Sequence, residues 1–553
     1  MTVSERSYSS GSSDMPLIGR TIGEDLRRTA ARQPEHEALV DVPAGRRWSY
    51  RQLDEAVDRV ATALLGLGIA MGDCVGIWSP NCAEWVFVQY ATARIGAILV
   101  NINPAYRTHE LEYVLNQAGI RLLIAASSFK TSDYSAMITD VRDRCFALED
   151  VVLLGSGRWS DIASCDVDYA ALVRRATALR FDDPINIQYT SGTTGFPKGA
   201  TLSHHNILNN GFFVGSLLGY TDTDRICIPV PFYHCFGMVM GNLGATSNGA
   251  TIVIPAPAFD PSATLRAIQD ERCTSLYGVP TMFMAELGLP DFDDYDLSSL
   301  RTGIMAGAPC PVELMKRVVS EMHMTEVTIM YGMTETSPVS TMTRRSDDIE
   351  HRTSTVGTVM PHVEVLIVDP DTGLTTPRGT PGELCTRGYS VMLGYWEAPE
   401  QTADAVDEAG WMHTGDLATM DEDGYLAIVG RIKDMVLRGG ENIYPREIEE
   451  FLYRHPAIAD VHVIGVPDDK YGEELMAWVR VNPGASLTLD ELRSFCAAKL
   501  AHYKVPRYLH LCDEFPMTVT GKVRKVEMRE RAVEILGLGV AKLAAAERAA
   551  THR

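Results

Sequence analysis

A strand-like run, Ile185-Asn-Ile-Gln-Tyr-Thr190, leads into Ser191-Gly192-Thr193-Thr194-Gly195-Phe-Pro-Lys198-Gly199. The ten positions from Thr190 hold three glycines, four hydroxyl residues and one lysine. Glycines let consecutive amides point one way, while hydroxyls and an ammonium add donors, so the loop is suited to an anion such as nucleotide phosphates. It is not a Walker loop, because Lys198 follows proline and precedes glycine. Further clusters follow at long intervals. Pro231-Phe-Tyr-His234-Cys-Phe-Gly237 puts an aromatic and a histidine at the end of an expected strand. Gly307-Ala308-Pro309 and Tyr331-Gly332-Met-Thr334-Glu335 each follow a short expected strand. There the glycines allow close approach of a flat ligand, Tyr331 offers a stacking face, and Thr334 a hydroxyl. A glutamate beside phosphates makes sense as a Mg²⁺ ligand, which assigns Glu335 that role. Trp411-Met-His-Thr-Gly-Asp416, Gly430-Arg431-Ile-Lys433-Asp, Leu437-Arg438-Gly439-Gly440-Glu441-Asn-Ile-Tyr-Pro445 and Thr518-Val-Thr-Gly-Lys522 complete the set. Singly, Asp416 reads equally well as a turn cap, Arg431 as half of a surface ion pair and Lys522 as a solvated loop residue.

The elements expected to position these residues alternate in the β/α manner. Helices are predicted at 21–32, 53–65, 83–96 and 108–118, with strands at 74–78, 97–101 and 121–125. Strand 226–230, a Gly-rich helical segment 235–247, strand 250–254 and helix 261–271 continue the pattern, and short strands follow at 326–330, 356–359 and 363–368. Gly66 to Gly72 superficially matches a dinucleotide fingerprint, but it lies after a helix and before a strand, so it reads as a helix stop. From about residue 431 a second unit of ~100 residues begins, with helices 445–454 and 488–499 and strands 460–466 and 475–481. Residues 1–16 are Ser-rich and read as disordered; 527–553 read as an exposed terminal helix. The fold class is α/β: a large N-terminal domain of doubly wound sheets with a β-rich subdomain, then a small mobile C-terminal α+β domain.

The 553 residues allow a sizeable core, and 46% hydrophobic with 22% charged residues describes an ordinary globular enzyme. The net charge of −22 argues against nonspecific nucleic-acid binding, though not against a nucleotide, which is held by local donors. Eleven cysteines without C-x-x-C spacing fit reduced thiols rather than disulfides or zinc. With no apolar h-region at the start and no bilayer-length apolar run, the expectation is a cytoplasmic protein.

Taken together and in this order, the clusters resemble the adenylate-forming enzymes, which include acyl- and aryl-CoA synthetases, luciferases and peptide-synthetase adenylation domains. The resemblance runs from about Thr21 to Arg529. Leu384-Cys-Thr-Arg-Gly-Tyr-Ser-Val-Met-Leu-Gly-Tyr-Trp396 and Lys433 to Pro445 are most similar to the medium-chain fatty-acyl-CoA synthetases. The resemblance implies domains at 17–431 and 435–530, a hinge at 432–434 and a helical tail at 531–553. It implies that Thr190, Ser191, Gly192, Thr193, Thr194, Gly195 and Lys198 cradle ATP phosphates. Tyr331 and Gly332 would lie on adenine with Gly307, Ala308 and Pro309 flanking it. Thr334 would touch the α-phosphate, Glu335 would hold Mg²⁺, and Asp416 with Arg431 would take the ribose hydroxyls. Lys433 would mark the hinge, Lys522 would be the catalytic lysine, and Arg438, Gly439, Gly440 and Glu441 would reach the site for the thioester step.

The implied reaction has two halves: fatty acid and ATP give acyl-AMP and pyrophosphate, then coenzyme A gives acyl-CoA and AMP. His234 has two readings, orienting the carboxylate or thiol, or packing beside Tyr233. Phe212, Phe213, Val214 and Leu217 could line an acyl tunnel or belong to the core. Small residues at 237, 241, 244 and 245 suggest room for an elongated chain. The expected partners are fatty acid, ATP and CoA, with no nucleic acid and no transmembrane segment; a lipid substrate allows peripheral membrane contact, and a homodimer is the candidate assembly. The alternatives are an aryl or other carboxylic acid–CoA ligase, transfer of the acyl group to another acceptor, a luciferase-like monooxygenase, an amino-acid adenylating domain or a nonenzymatic acyl-ligand binding protein. A serine hydrolase is disfavoured, since no G-x-S-x-G surrounds Ser191.

Overall fold

Strand Cys74–Trp78 is buried along its whole length, as a continuous apolar run flanked by other strands should be. In the computed structural model, which describes residues 5–190, 197–308, 310–439, 441–497, 499–517 and 523–538, it lies inside a seven-stranded sheet. The sheet order is Gly394–Tyr395, Lys198–Ser203, Pro184–Thr190, Ile98–Asn101, Cys74–Trp78, Ile120–Ala125 and Asp150–Leu153. The five strands from Pro184–Thr190 onward are parallel, whereas Lys198–Ser203 folds back antiparallel on Pro184–Thr190.

A nine-stranded sheet has a parallel core containing Glu326–Gly332, Thr302–Ala306, Ser275–Gly278, Arg225–Cys227, Thr251–Ile254 and Glu37–Asp41. Helix Ala83–Ile95 is buried at every position except Glu84 and packs on strands of both sheets. A helix buried on all faces is stable as such an inner layer, here with its buried Arg94 paired to Asp54 and Asp58. These elements form the larger of two units, Ser9–Val365 with Thr386–Met412.

The smaller unit comprises Met1–Tyr8, Leu366–Cys385 and His413–Arg553. Its C-terminal part is a sheet in which the long hairpin Ile458–Asp468/Gly472–Val481 is joined by Val436–Arg438, Glu441–Ile443 and Tyr508–Leu511. Helices Pro445–Leu452 and Leu489–Ala497 contribute to one apolar cluster on this sheet, and Lys525–Ile535 to a second.

Two expectations need correction. Residues 5–16 are not a disordered leader: Tyr8–Ser10 is a strand, Ser7 is fully buried, and its backbone exchanges hydrogen bonds with Thr376 and Ile367 at 2.9 Å each. A sheet edge recruits backbone donors and acceptors regardless of side-chain polarity, so a Ser-rich segment can fill it. The terminal helix ends at Ile535, followed by Gly537 with φ +65°; residues from 539 lie outside the described residues.

Candidate active site

The anion-loop strand runs Pro184–Thr190, and its antiparallel partner starts at Lys198 with Thr190 and Lys198 paired. Ser191, Gly192, Thr193, Thr194 and Gly195 lie outside the described residues, but both ends of their loop are thereby fixed. The Thr190 hydroxyl sits 3.3 Å from Glu335 Oε1. Tyr395 donates its hydroxyl to the same oxygen at 2.9 Å, and the Lys198 ammonium lies 4.9 Å from the Tyr395 ring centroid. Burial, then the Glu335 charge, drive the Tyr395 pKa far upward, so the phenol remains a donor. Tyr395 lies on the short edge strand that pairs with Lys198–Ser203. Sequence reading did not single it out; its signal was the Gly-Tyr-Trp at the end of a quoted stretch.

Glu335 is only 5% exposed, in a one-turn helix Thr334–Thr336 just after strand Glu326–Gly332. Among the described residues its carboxylate receives neutral hydroxyls and no ammonium or guanidinium within ion-pairing reach. A buried carboxylate so placed is under-compensated, and its hard oxygens suit Mg²⁺. Gly332 is dictated locally, since a Cβ there would lie 1.8 Å from the Pro338 carbonyl oxygen.

Strands Thr302–Ala306 and Glu326–Gly332 are parallel neighbours with Ala306 opposite Met330. Gly307 and Ala308 therefore emerge beside Tyr331 and Gly332 at the carboxyl edge of the sheet, where open α/β sheets bind ligands. Tyr331 is half-buried and the other three are exposed. Pro309 lies outside the described residues.

His234 stands in the turn before a π-helix, Phe236–Leu243, and its Nδ1 accepts the Phe236 N–H at 3.2 Å. That bond leaves the ring proton on Nε2. The neighbouring Tyr233 hydroxyl is buried with no hydrogen-bond partner among the described residues. The glycines of this segment do not create space. A Cβ on Gly237 would meet the Pro231 carbonyl at 2.5 Å, one on Gly241 the Ile228 side chain at 2.9 Å and one on Gly244 the Gly211 carbonyl at 3.2 Å. They serve close packing of backbone rather than an acyl chain. Phe213 and Val214 are fully buried, with Phe213 against Tyr389 and His362, and so belong to the core.

In the smaller unit Asp416 and Arg431 face each other across paired strands Met412–Met420 and Leu426–Arg431, with Nε 2.7 Å from Oδ1. Lys433 is exposed on the one-turn helix Ile432–Asp434 that follows. Arg438 is committed elsewhere: it donates to the fully buried Glu474 at 2.8 Å and lies 4.7 Å over the Tyr471 ring. That carboxylate raises the guanidinium pKa. Gly439 has φ +63° and is exposed, as is Glu441. Gly440 and Lys522 lie outside the described residues. Met517 and Val523, the described residues on either side of Lys522, pair as an antiparallel bridge.

The larger unit thus brings Thr190 and Tyr395 to a buried, metal-suited carboxylate and sets Gly307 and Ala308 beside Tyr331 at a sheet edge; the smaller carries a carboxylate–guanidinium pair. The AMP-binding enzyme family matches residues 26–396, and the AMP-binding enzyme C-terminal domain matches 447–522. The chain belongs to the AMP-binding enzyme family. It is 48% identical over 94% of its length, and 99% of the relative's, to YngI of Bacillus subtilis (strain 168), whose name assigns it provisionally to the acyl-CoA synthetases. It is 43% identical to the mitochondrial medium-chain acyl-CoA ligase ACSF2 of Danio rerio, over 96% of this chain and 91% of that one. The fold is that of the adenylate-forming enzymes: the anthranilate CoA ligase AuaEII, solved with anthranoyl-AMP, superposes with TM-score 0.82 at 29% identity, covering 94% of this chain and 98% of its own.

Proposed function

We propose that this protein makes fatty acyl-CoA from a fatty acid, ATP and coenzyme A through an acyl-AMP intermediate, with medium chains preferred. It is an AMP-forming acid–thiol ligase. The observation that carries the reading is the identity of 43–48% to acyl-CoA synthetases and ligases over nearly the full chain, joined to the Thr190–Glu335–Tyr395 cluster. In the first half-reaction a fatty-acid carboxylate oxygen attacks the α-phosphorus, and the bond to pyrophosphate breaks. Lys198 and the 190–195 loop hold the β- and γ-phosphates, Tyr331 stacks on adenine beside Gly307, Ala308 and Pro309, and Thr334 donates to the α-phosphate. Glu335 would hold Mg²⁺, which would supply positive charge against the negative charge building on the phosphoryl oxygens. Lys522 supplies a point cation to the same charge.

In the second half-reaction the CoA thiolate attacks the acyl carbonyl and AMP leaves with the electron pair. Domains 17–431 and 435–530 turn about a hinge at 432–434 marked by Lys433, withdrawing Lys522 and bringing Gly439, Gly440 and Glu441 toward the acyl-AMP. Arg438 anchors that loop through Glu474 rather than touching CoA. His234, with its proton on Nε2, orients the acyl carboxylate. No helix among the described residues is long and apolar enough to cross a membrane. All eleven cysteines are free, which suits a reducing compartment such as the cytoplasm.

The test is CoA-dependent AMP release with fatty acids from acetate to stearate, with Lys522→Ala in parallel and hydroxylamine trapping of acyl-AMP without CoA. The expected result is a maximum at intermediate chain length that the variant abolishes. Turnover with aromatic acids alone would move the substrate class to that of AuaEII. Acyl-AMP without thioester would name another acceptor.

A further inference from the structure

Asp416 follows Gly415, whose φ of +68° is left-handed and around which a Cβ would meet nothing within 4 Å. Gly415 thus makes a left-handed kink inside strand Met412–Met420, just before Asp416. Arg431 bonds Asp416, yet its side chain is 57% exposed, and an ion pair so open to water is a weak restraint. Beyond the strand pairing, the kink is held by Glu383 on the adjacent strand Gly382–Gly388. Its Oε1 accepts the Gly415 N–H at 3.0 Å and its Oε2 accepts the His413 Nδ1–H at 2.9 Å. One carboxylate, with only 12% of its side chain exposed, thus grips the residues on both sides of Thr414. Thr414 closes the bracket, donating to the Leu384 carbonyl at 2.6 Å and accepting the Asp416 N–H at 3.1 Å.

We propose that Glu383 is the positioning residue that aims Asp416 at the ribose of ATP. The proposal rests on the reading that gives Asp416 to the ribose hydroxyls. Ligand-type atoms of Glu383, Cys385 and His413 lie within 4.8 Å of one another. Both Glu383 oxygens nevertheless already accept an N–H, so the group is an anchor and not a vacant cation site. A charge-assisted bond to a backbone amide fixes direction as well as distance, and a ligand group displaced by about 1 Å can lose on the order of a hundredfold.

The experiment measures steady-state kinetics with ATP and with 2′,3′-dideoxy-ATP, which lacks both hydroxyls. Glu383→Ala raises KM for ATP about ten- to a hundredfold with little change in kcat. It barely alters KM for the dideoxy nucleotide, where Asp416 has nothing to hold. Glu383→Gln keeps an oxygen for Gly415 N–H and restores most ATP affinity. His413→Ala, which leaves the Gly415 bond, gives the same signature at smaller size and serves if Glu383→Ala does not fold. The double variant Glu383→Ala/Asp416→Ala is no worse than Asp416→Ala. Equal losses with both nucleotides, or additive losses in the double variant, overturn the positioning role while leaving Asp416 on the ribose. If Asp416→Ala itself leaves the ATP-to-dideoxy ratio unchanged, the ribose assignment has failed and the proposal falls with it.

Discussion

Glu335 and Glu286 stand apart both from the arginine-paired Asp25, Asp41, Asp58 and Asp224 of their own larger unit and from the paired carboxylates of the smaller one. In the smaller unit Glu474 is paired with Arg438, and Asp416 with Arg431. In the larger unit Glu335 accepts only neutral hydroxyls among the described residues, and the fully buried Glu286 has neither oxygen hydrogen-bonded there. A charge paired inside the chain needs no added cation or proton, whereas one left under-compensated is either waiting for a cation or must take up a proton. Glu335, bonded by Thr190 at the end of strand Pro184–Thr190, takes the first course. Glu286, walled in on helix Pro280–Leu287, takes the second: burial alone pushes its pKa well above the usual carboxylate range.

The largest break of this contrast is Glu474→Ala, which strands the Arg438 guanidinium. Urea unfolding of the smaller unit should show a loss of about 3–5 kcal/mol, the cost typical of orphaning a buried charge. Glu335→Gln should do the reverse, leaving the urea midpoint unchanged or raised. It should lower acyl-AMP formation about a hundredfold, partly regained at high Mg²⁺. Glu286→Met removes a buried carboxyl without partners and should stabilise the larger unit by about 1–3 kcal/mol near neutral pH. Because the folded-state pKa lies above the unfolded value, the wild type is most stable below the unfolded pKa. It loses stability as pH rises through the folded pKa. The gap between the melting temperatures of wild type and Glu286→Met should therefore widen with pH, and a constant gap would show that Glu286 is ionised in both states. The smallest effect is expected for Tyr395→Phe, which keeps the ring under Lys198 but removes one donor to Glu335. That is about 0.5–1.5 kcal/mol, read as up to about a tenfold fall in kcat/KM for ATP.

Much of this was legible in the residues themselves. The helix over 22–32 was marked by Ile22, Leu26 and Ala30 on one face, and strand Val363–Val368 by its β-branched run. The anion loop declared itself by glycines and hydroxyls, because a backbone cradle needs those types locally. The glycines at 237, 241 and 244 misled for the same reason. Absence of a side chain says that something comes close, but not whether it is a ligand or, as here, neighbouring backbone and an isoleucine. The Ser-rich start misled because strand addition is paid in backbone hydrogen bonds, to which composition is blind.

By itself the sequence determined the β/α alternation, the chemical character of each cluster and the family to which their order belongs, since these follow from local propensity and residue type. Only the tertiary structure decided which groups meet. Thr190 and Tyr395 reach Glu335 from 145 and 60 residues away, and Glu383 reaches across 32 residues to Gly415. Such contacts are set by strand register and sheet order, and no local pattern encodes them.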